Sequence, residues 1–148
     1  MNKSTFSAKP TDVKRQWYLI DANDASLGRI STVAAKILTG KDKTIFTKHI
    51  DCGDYVVVIN SDKLKVTGDK LKSKMYYRHS GYPGALKELK LEQLMSKDST
   101  KVIEHSIRGM LPVNKLRDSR LKRLKIYRND QHKHQAQQLI KIDLKEVK

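Results

Sequence analysis

Asp54-Tyr55-Val56-Val57-Val58-Ile59-Asn60-Ser61 sets five apolar residues in succession, four of them β-branched. A strand with one wet face alternates apolar and polar side chains. A strand covered on both faces does not need to, and unbroken runs of this kind belong to parallel sheets. Upstream, Trp17 to Ala22 (WYLIDA) is a second short apolar run and predicts the first strand. Between the two, Leu27, Ile30, Val33, Ala34, Ile37 and Leu38 recur at helical spacing. Asn23 or Asp24 can cap that helix, with Ser26 as a rival, and Gly40 follows its last turn where a left-handed backbone costs glycine least. Strand, helix, strand is the unit from which parallel sheets are built.

Further along, Lys63 to Thr67 alternates and predicts another strand. Gly68-Asp69 signals a turn, after which Leu71 to Tyr77 returns as a hairpin or edge strand. Leu86, Leu89 and Leu94 predict a helix over Ala85 to Met95, and Ser99 is expected to cap another containing Val102, Ile103, Ile107 and Met110. Leu111-Pro112 interrupts it, because proline disfavours helix in the residue before it. Asn114 to Leu124 reads as helix again, and Lys125 to Arg128 as a late strand. From Asn129 the chain is polar, with a weakly alternating run at Leu139 to Leu144. The expectation is one α/β domain over residues 1–148 with a mainly parallel sheet, an N-terminal arm over 1–15 and a C-terminal tail over 129–148.

The formal charge is +15 over 148 residues, which repels itself in a compact fold unless a polyanion is near. The excess is concentrated. Arg108 to Arg128 carries Arg108, Lys115, Arg117, Arg120, Lys122, Arg123, Lys125 and Arg128 against Asp118 alone. Lys63 to Arg78 has six basic residues against Asp69, and Lys36 to Lys48 has four against Asp42. Ala85 to Glu104, by contrast, is neutral and suits a solvated or partner-facing side. Nucleic acid is the partner this distribution favours first. No stretch approaches the ~20 apolar residues that span a bilayer, and residues 1–16 lack an apolar signal core, so the expected location is the cytoplasm.

Little in the sequence favours catalysis. Cys52 is the only cysteine, which excludes an internal disulfide and a cysteine-based zinc cluster. Gly40-Lys41 lacks the upstream glycine of a phosphate-binding loop, and no GxGxxG is present. His132 and His134 have no neighbouring cysteine to complete a metal site. Asp51 and Asp54 flank Cys52-Gly53 at a strand start, where acids serve turn and backbone donors more often than they act as base or metal ligand. A nucleic-acid-acting enzyme using Asp51, Asp54 or His79 is one alternative, and a free DNA-binding architectural protein is another. No cofactor, metal or small-molecule substrate is expected. The most unusual local sequence is Tyr76-Tyr77-Arg78-His79-Ser80-Gly81-Tyr82-Pro83-Gly84, in which aromatics, a cation and an imidazole precede a glycine–proline loop. Such a loop can approach a phosphate while a ring stacks on an unpaired base.

Several motifs, in order, carry a resemblance. They are Trp17 to Ala22; Leu27-Gly28-Arg29; Gly40-Lys41-Asp42-Lys43 with Phe46-Thr47; Gly53 to Asn60; Val66-Thr67-Gly68; Tyr76 to Gly84; Gly109-Met110-Leu111-Pro112 with Asn114-Lys115-Leu116; and His132 with His134 to Gln137. Together they resemble the bacterial L-thirteen family of large-subunit ribosomal proteins over about Ala8 to Gln138. The sequence departs from that pattern at Lys48, Cys52 and Arg117-Asp118. The resemblance implies a three-layer α/β/α fold around a four-stranded, mostly parallel sheet. It implies a monomeric structural protein that binds large-subunit rRNA beside neighbouring ribosomal proteins, early in subunit assembly. On charge and resemblance together, the expected RNA contacts are Lys14, Arg15, Arg29, Lys41, Lys43, Lys48 and His49; Tyr77, Arg78, His79, Ser80 and Gly81; the eight basic residues from Arg108 to Arg128; and His132 and His134. Neutralising Arg120, Lys122 and Arg123 is expected to weaken RNA binding and spare the fold.

Overall fold

The computed structural model describes residues 6–144. In chain order its elements are β1 (Trp17–Asp21), α1 (Leu27–Thr39), β2 (Tyr55–Ile59), α2 (Lys70–Ser73), β3 (Met75–Arg78), β4 (Lys87–Lys90), α3 (Leu91–Met110), α4 (Arg117–Lys122), β5 (Leu124–Ile126) and β6 (Ile140–Ile142). Four strands form one sheet in the order β5-β2-β1-β6, and β3 and β4 form a separate hairpin. Every neighbouring pair in the four-stranded sheet is parallel. The registers align Tyr18 with Val56 and Ile140, and Val56 with Leu124.

Successive side chains of a strand point to opposite faces. Ile20, Val56, Val58 and Leu124 therefore share one face, and α1 and α3 close over it with Ile30, Ala34, Leu38, Val102, Ile103 and Ile107. Each valine buried there is worth roughly 1.5–3 kcal/mol. Ser31 and Ser106 bond across the two helices at 2.8 Å, so the polar atoms in that seam are satisfied. Val57 faces the other way and is equally buried. On its side Trp17 and Tyr55, register partners, stack at 4.2 Å, and His134 packs on Trp17 at 4.9 Å. Tyr127 and His134 share a hydrogen bond of 3.0 Å. The valine run thus has cover on both faces, from helices on one and from the chain after β5 on the other.

The structure revises several expectations. The strand predicted over Lys63 to Thr67 reduces to a single bridge between Ser26 and Lys65. The fourth strand of the sheet is Ile140–Ile142, which makes the supposed tail part of the sheet. Leu71 falls in the short α2, and of the strand expected over Leu71 to Tyr77 only the end, Met75 to Arg78, is a strand, in a hairpin that does not turn at Gly68-Asp69. Its partner is Lys87 to Lys90, read from the sequence as helix. The expected break between two helices is a kink inside α3 at Asp98, and the cap there is Asp98 rather than Ser99. Its carboxylate accepts from the Thr100 hydroxyl at 2.6 Å and backbone N–H at 3.2 Å. The Thr100 hydroxyl bond is the main reason the Asp98 pKa lies below the usual value. The last helix is shorter than predicted, beginning at Arg117 after a turn held by the Asn114 side chain. The N-terminal arm is anchored at Ala8, which is buried and donates its N–H to Thr47 Oγ1 at 3.2 Å.

Ser26 is the N-cap position of α1, and Gly40 closes the helix with φ +81°. The turn after it presses against the start of β2. A methyl group on Gly53 would sit 1.8 Å from the Leu38 carbonyl oxygen, and one on Gly40 2.7 Å from the Cys52 backbone. Gly53 therefore sets how closely α1 and β2 approach. Gly53→Ala is expected to cost on the order of 3 kcal/mol or more, or to prevent folding, as measured by urea denaturation. Wild-type stability in that variant would contradict the packing.

Candidate nucleic-acid interface

In a parallel sheet all strands start at the same edge. Here that edge gathers the segments before β1, β2 and β5 and the end of α1. Lys14, Arg15, Lys41, Lys43, Lys48, His49 and Lys122 come from these segments, separated in sequence by up to the length of the domain. Contacts confirm the convergence: Lys43 Nζ donates to the Lys14 carbonyl at 2.7 Å, Arg15 lies 3.8 Å from Asp51, and Ser7 meets His49 at 3.5 Å. Lys14, Arg15, Lys41, Lys48, His49 and Lys122 are exposed.

Behind this rim the charges serve the interior. Arg123 is 4% exposed and pairs through both terminal nitrogens with Asp51, one bond being 2.6 Å. It also donates to the carbonyls of Leu38 at 3.3 Å and Asp54 at 3.4 Å. Arg120, 1% exposed, lies 3.8 Å from Asp51, and its Nε and Nη1 have no hydrogen-bond partner among the described residues. Burial pushes its pKa down while Asp51 opposes the shift, and arginine stays charged. Asp54 receives Lys43 at 2.6 Å and the Gln16 N–H at 2.8 Å. The two acids at the start of β2 are thus internal counter-ions and backbone acceptors. Arg120 and Arg123, expected on the phosphate face, are instead inside it. Lys43 is half-buried and committed to Asp54.

The remaining residues fall elsewhere. Tyr77, Arg78, His79, Ser80 and Gly81 are exposed at the end of the β3–β4 hairpin, where the Gly81 N–H donates to His79 Nδ1 at 2.9 Å. Arg108 is exposed near the end of α3, and Lys115 lies in the following loop beside Val113, which is 86% exposed. Arg117 is half-buried against the Leu111 carbonyl at 3.5 Å. Arg29 is exposed on the first turns of α1, at the opposite sheet edge. Arg128 is exposed but tethered to the α3 kink through the Lys97 carbonyl at 2.9 Å and Asp98 at 3.4 Å. Lys125 is half-buried beside Val57, and His132 and His134 pack on Tyr127 and Trp17. Sequence reading did not single out Lys97, Lys101 and His105, whose side chains face the hairpin across a groove. Their spacing along one helix was the available signal, hidden by the neutral total of that segment.

Among the described residues, no group of three or more His, Cys, Asp or Glu is placed to hold a metal, and no helix is long and apolar enough to cross a membrane. The fold and its charges define a small basic α/β protein, braced by internal ion pairs and presenting separate exposed clusters of cations. The family model described as ribosomal protein L13 matches residues 15–133. The large ribosomal subunit protein uL13 of Hahella chejuensis is 51% identical over 140 residues, covering 95% of this chain and 99% of that protein. Those of Streptomyces avermitilis (48%, covering 97% of each chain) and Desulfitobacterium hafniense (52%, covering 91% of this chain and 94% of that one) are similar throughout. The chain belongs to the ribosomal protein L13 family.

Two outcomes test this division between interior and surface charge. Arg123→Ala leaves Asp51 without its main partner and is expected to destabilise by about 3–5 kcal/mol, whereas the adjacent Lys122→Ala changes stability by less than about 0.5 kcal/mol, both by chemical denaturation. Equal effects would contradict it. The second concerns His134, whose pKa is lowered from 6.5 by burial first, then by His132 and Lys125. The unfolded imidazole protonates before the folded one, so this packing contributes fully above about pH 6.5, and stability falls as pH drops from there through the lower folded pKa. Trp17, the only tryptophan, is in contact with the ring, so its fluorescence is expected to titrate with a midpoint below 6.5 and to lose that transition in His134→Gln.

Proposed function

We propose that this protein is a structural constituent of the large ribosomal subunit that binds large-subunit rRNA and supports early assembly of the subunit, without a catalytic role. The observation that carries this reading is identity of about half the residues, over nearly the whole chain, to large ribosomal subunit proteins uL13. The mechanism is charge neutralisation on a rigid frame. Lys14, Arg15, Lys41, Lys48, His49 and Lys122 meet phosphates at the strand-start edge. Arg78 and His79 at the hairpin tip, and Arg108 and Lys115 beside the Pro112 loop, meet others. Because these clusters project from different parts of one domain, they hold separate RNA segments at fixed distances. Neighbouring ribosomal proteins are expected on the less charged surfaces. Two of the three candidates of the enzyme alternative are engaged elsewhere, since Asp51 and Asp54 are occupied by Arg123 and Lys43, which leaves only the exposed His79.

Neutralising Lys41, Lys48 and Lys122 together tests the edge. Each cation on a phosphate contributes about 0.7–0.9 to the log–log slope of affinity against salt, so the slope is expected to flatten by roughly 2–3 with an unchanged melting temperature. Filter binding to large-subunit rRNA measures it. An unchanged slope removes this edge from the interface, and binding to duplex DNA as tight as to rRNA would favour an architectural DNA-binding role.

A further inference from the structure

The β3–β4 hairpin and α3 enclose a groove of about 1100 Å³. The hairpin register pairs Tyr76 with Leu89 and Arg78 with Lys87. These four residues alternate onto one face. Tyr76 and Leu89 pack against the core, so that face turns toward α3, and Arg78 and Lys87 continue it outward over the groove. Two cations directly opposed across an antiparallel pair repel. Among the described residues, no carboxylate lies within ion-pair distance of either.

Across the groove, Lys101, His105 and Arg108 follow at intervals of four and three, which places them on one side of α3, with Lys97 just before the kink. The Arg78–Lys87 pair therefore faces Lys97, Lys101 and Arg108 of α3, with His105 among them. Three acids also line the groove, Glu88, Asp98 and Glu104, and Asp98 is shared by Thr100, Arg128 and, at 3.9 Å, Lys101. Among the described residues, five Lys or Arg side chains line the groove against these three acids, which leaves a positive excess. Between the hairpin and α3, the Tyr76 and His105 rings lie 5.6 Å apart with their planes tilted by 35°, and Lys74 Nζ lies 5.6 Å from the Tyr76 centroid.

From this arrangement we infer that the groove holds a single-stranded segment of RNA, its phosphates between the Arg78–Lys87 pair and the α3 cations and a base against the Tyr76–His105 rings. The inference rests on the RNA-binding reading above and specifies what this one site accepts. A concave site with an aromatic floor suits unpaired bases, which expose both faces for stacking, whereas a duplex buries them. An acidic peptide would satisfy the cations but would leave the rings without a planar partner.

The test uses the full chain with three probes: a short oligouridylate, an RNA hairpin that is duplex throughout its stem, and poly-glutamate. Binding is read by fluorescence anisotropy for wild type, for Arg78→Gln with Lys87→Gln, and for His105→Ala, all at exposed positions and each checked for an unchanged melting temperature. The expected result is that both variants bind oligouridylate about tenfold or more weakly, as loss of one stacked base or its phosphate clamp implies, and that His105→Ala binds the duplex within about twofold of wild type. Oligouridylate binding that is equal in all three proteins, with duplex binding intact, overturns the groove and leaves the RNA-binding reading standing. Failure of wild type to bind either RNA, or rRNA itself, overturns both. Poly-glutamate binding that the charge variant abolishes, with no oligouridylate binding, assigns the groove to a protein partner and overturns the inference.

Discussion

Arg123 joins the end of α1, the start of β2 and the start of β5 through one guanidinium, using the Leu38 and Asp54 carbonyls and the Asp51 carboxylate. A buried cation is costly unless its donors are occupied, and a planar guanidinium with several donors can meet several acceptors in one plane. The contact is possible only because Gly53 has no side chain, since a methyl group there would come within 3.0 Å of the same guanidinium and collide with Leu38. Arg120 adds a second positive charge to the one carboxylate of Asp51. The interior at this edge is therefore net positive, and its field adds to that of the exposed lysines in front of it. The ion pair that fixes the edge also helps make it attractive to phosphate.

Much of the fold was legible because its first half obeys local rules. The helical spacing ending at Gly40 and the run Val56-Val57-Val58 specify a strand–helix–strand unit before any tertiary contact is considered. Reading failed where pairing decides. Lys87-Glu88-Leu89-Lys90 has no strong strand character, and Leu86, Leu89 and Leu94 imitate a helical face, yet β3 pulls the segment into a hairpin. Ile140–Ile142 is too short to announce itself and becomes a strand only beside β1. The misplacing of Arg120 and Arg123 had a different cause. Counting charge finds a basic block but not its partners. Leu116, Arg120 and Arg123 fall at intervals of four and three, which puts both arginines on the apolar side of that segment, and Asp51 with Asp54 were the only acids near Gly53 able to receive them.

One residue type thus performs two jobs within a few positions. Lys122 faces solvent between two arginines that do not, and Arg128 spans the surface to secure the α3 kink. For a protein that works against a polyanion, this separation has a physical advantage. Cations that brace the frame are shielded from the RNA, so binding and release at the surface leave the frame's own ion pairs in place. The hairpin differs, since among the described residues Arg78 and Lys87 have no carboxylate within ion-pair distance.

The pairing of β1 with β6 has a consequence for the order of events during synthesis. β1 and its neighbour β2 are made early, and the helix between them is local, so this unit can form while the remainder is still being translated. The strand that covers the free side of β1 is Ile140–Ile142, far downstream of β1 in the sequence. Until those residues leave the ribosomal tunnel, β1 is an open edge with unpaired backbone groups, the kind of surface that recruits foreign strands. Closure of the sheet therefore waits until Ile140–Ile142 has been made and has left the tunnel.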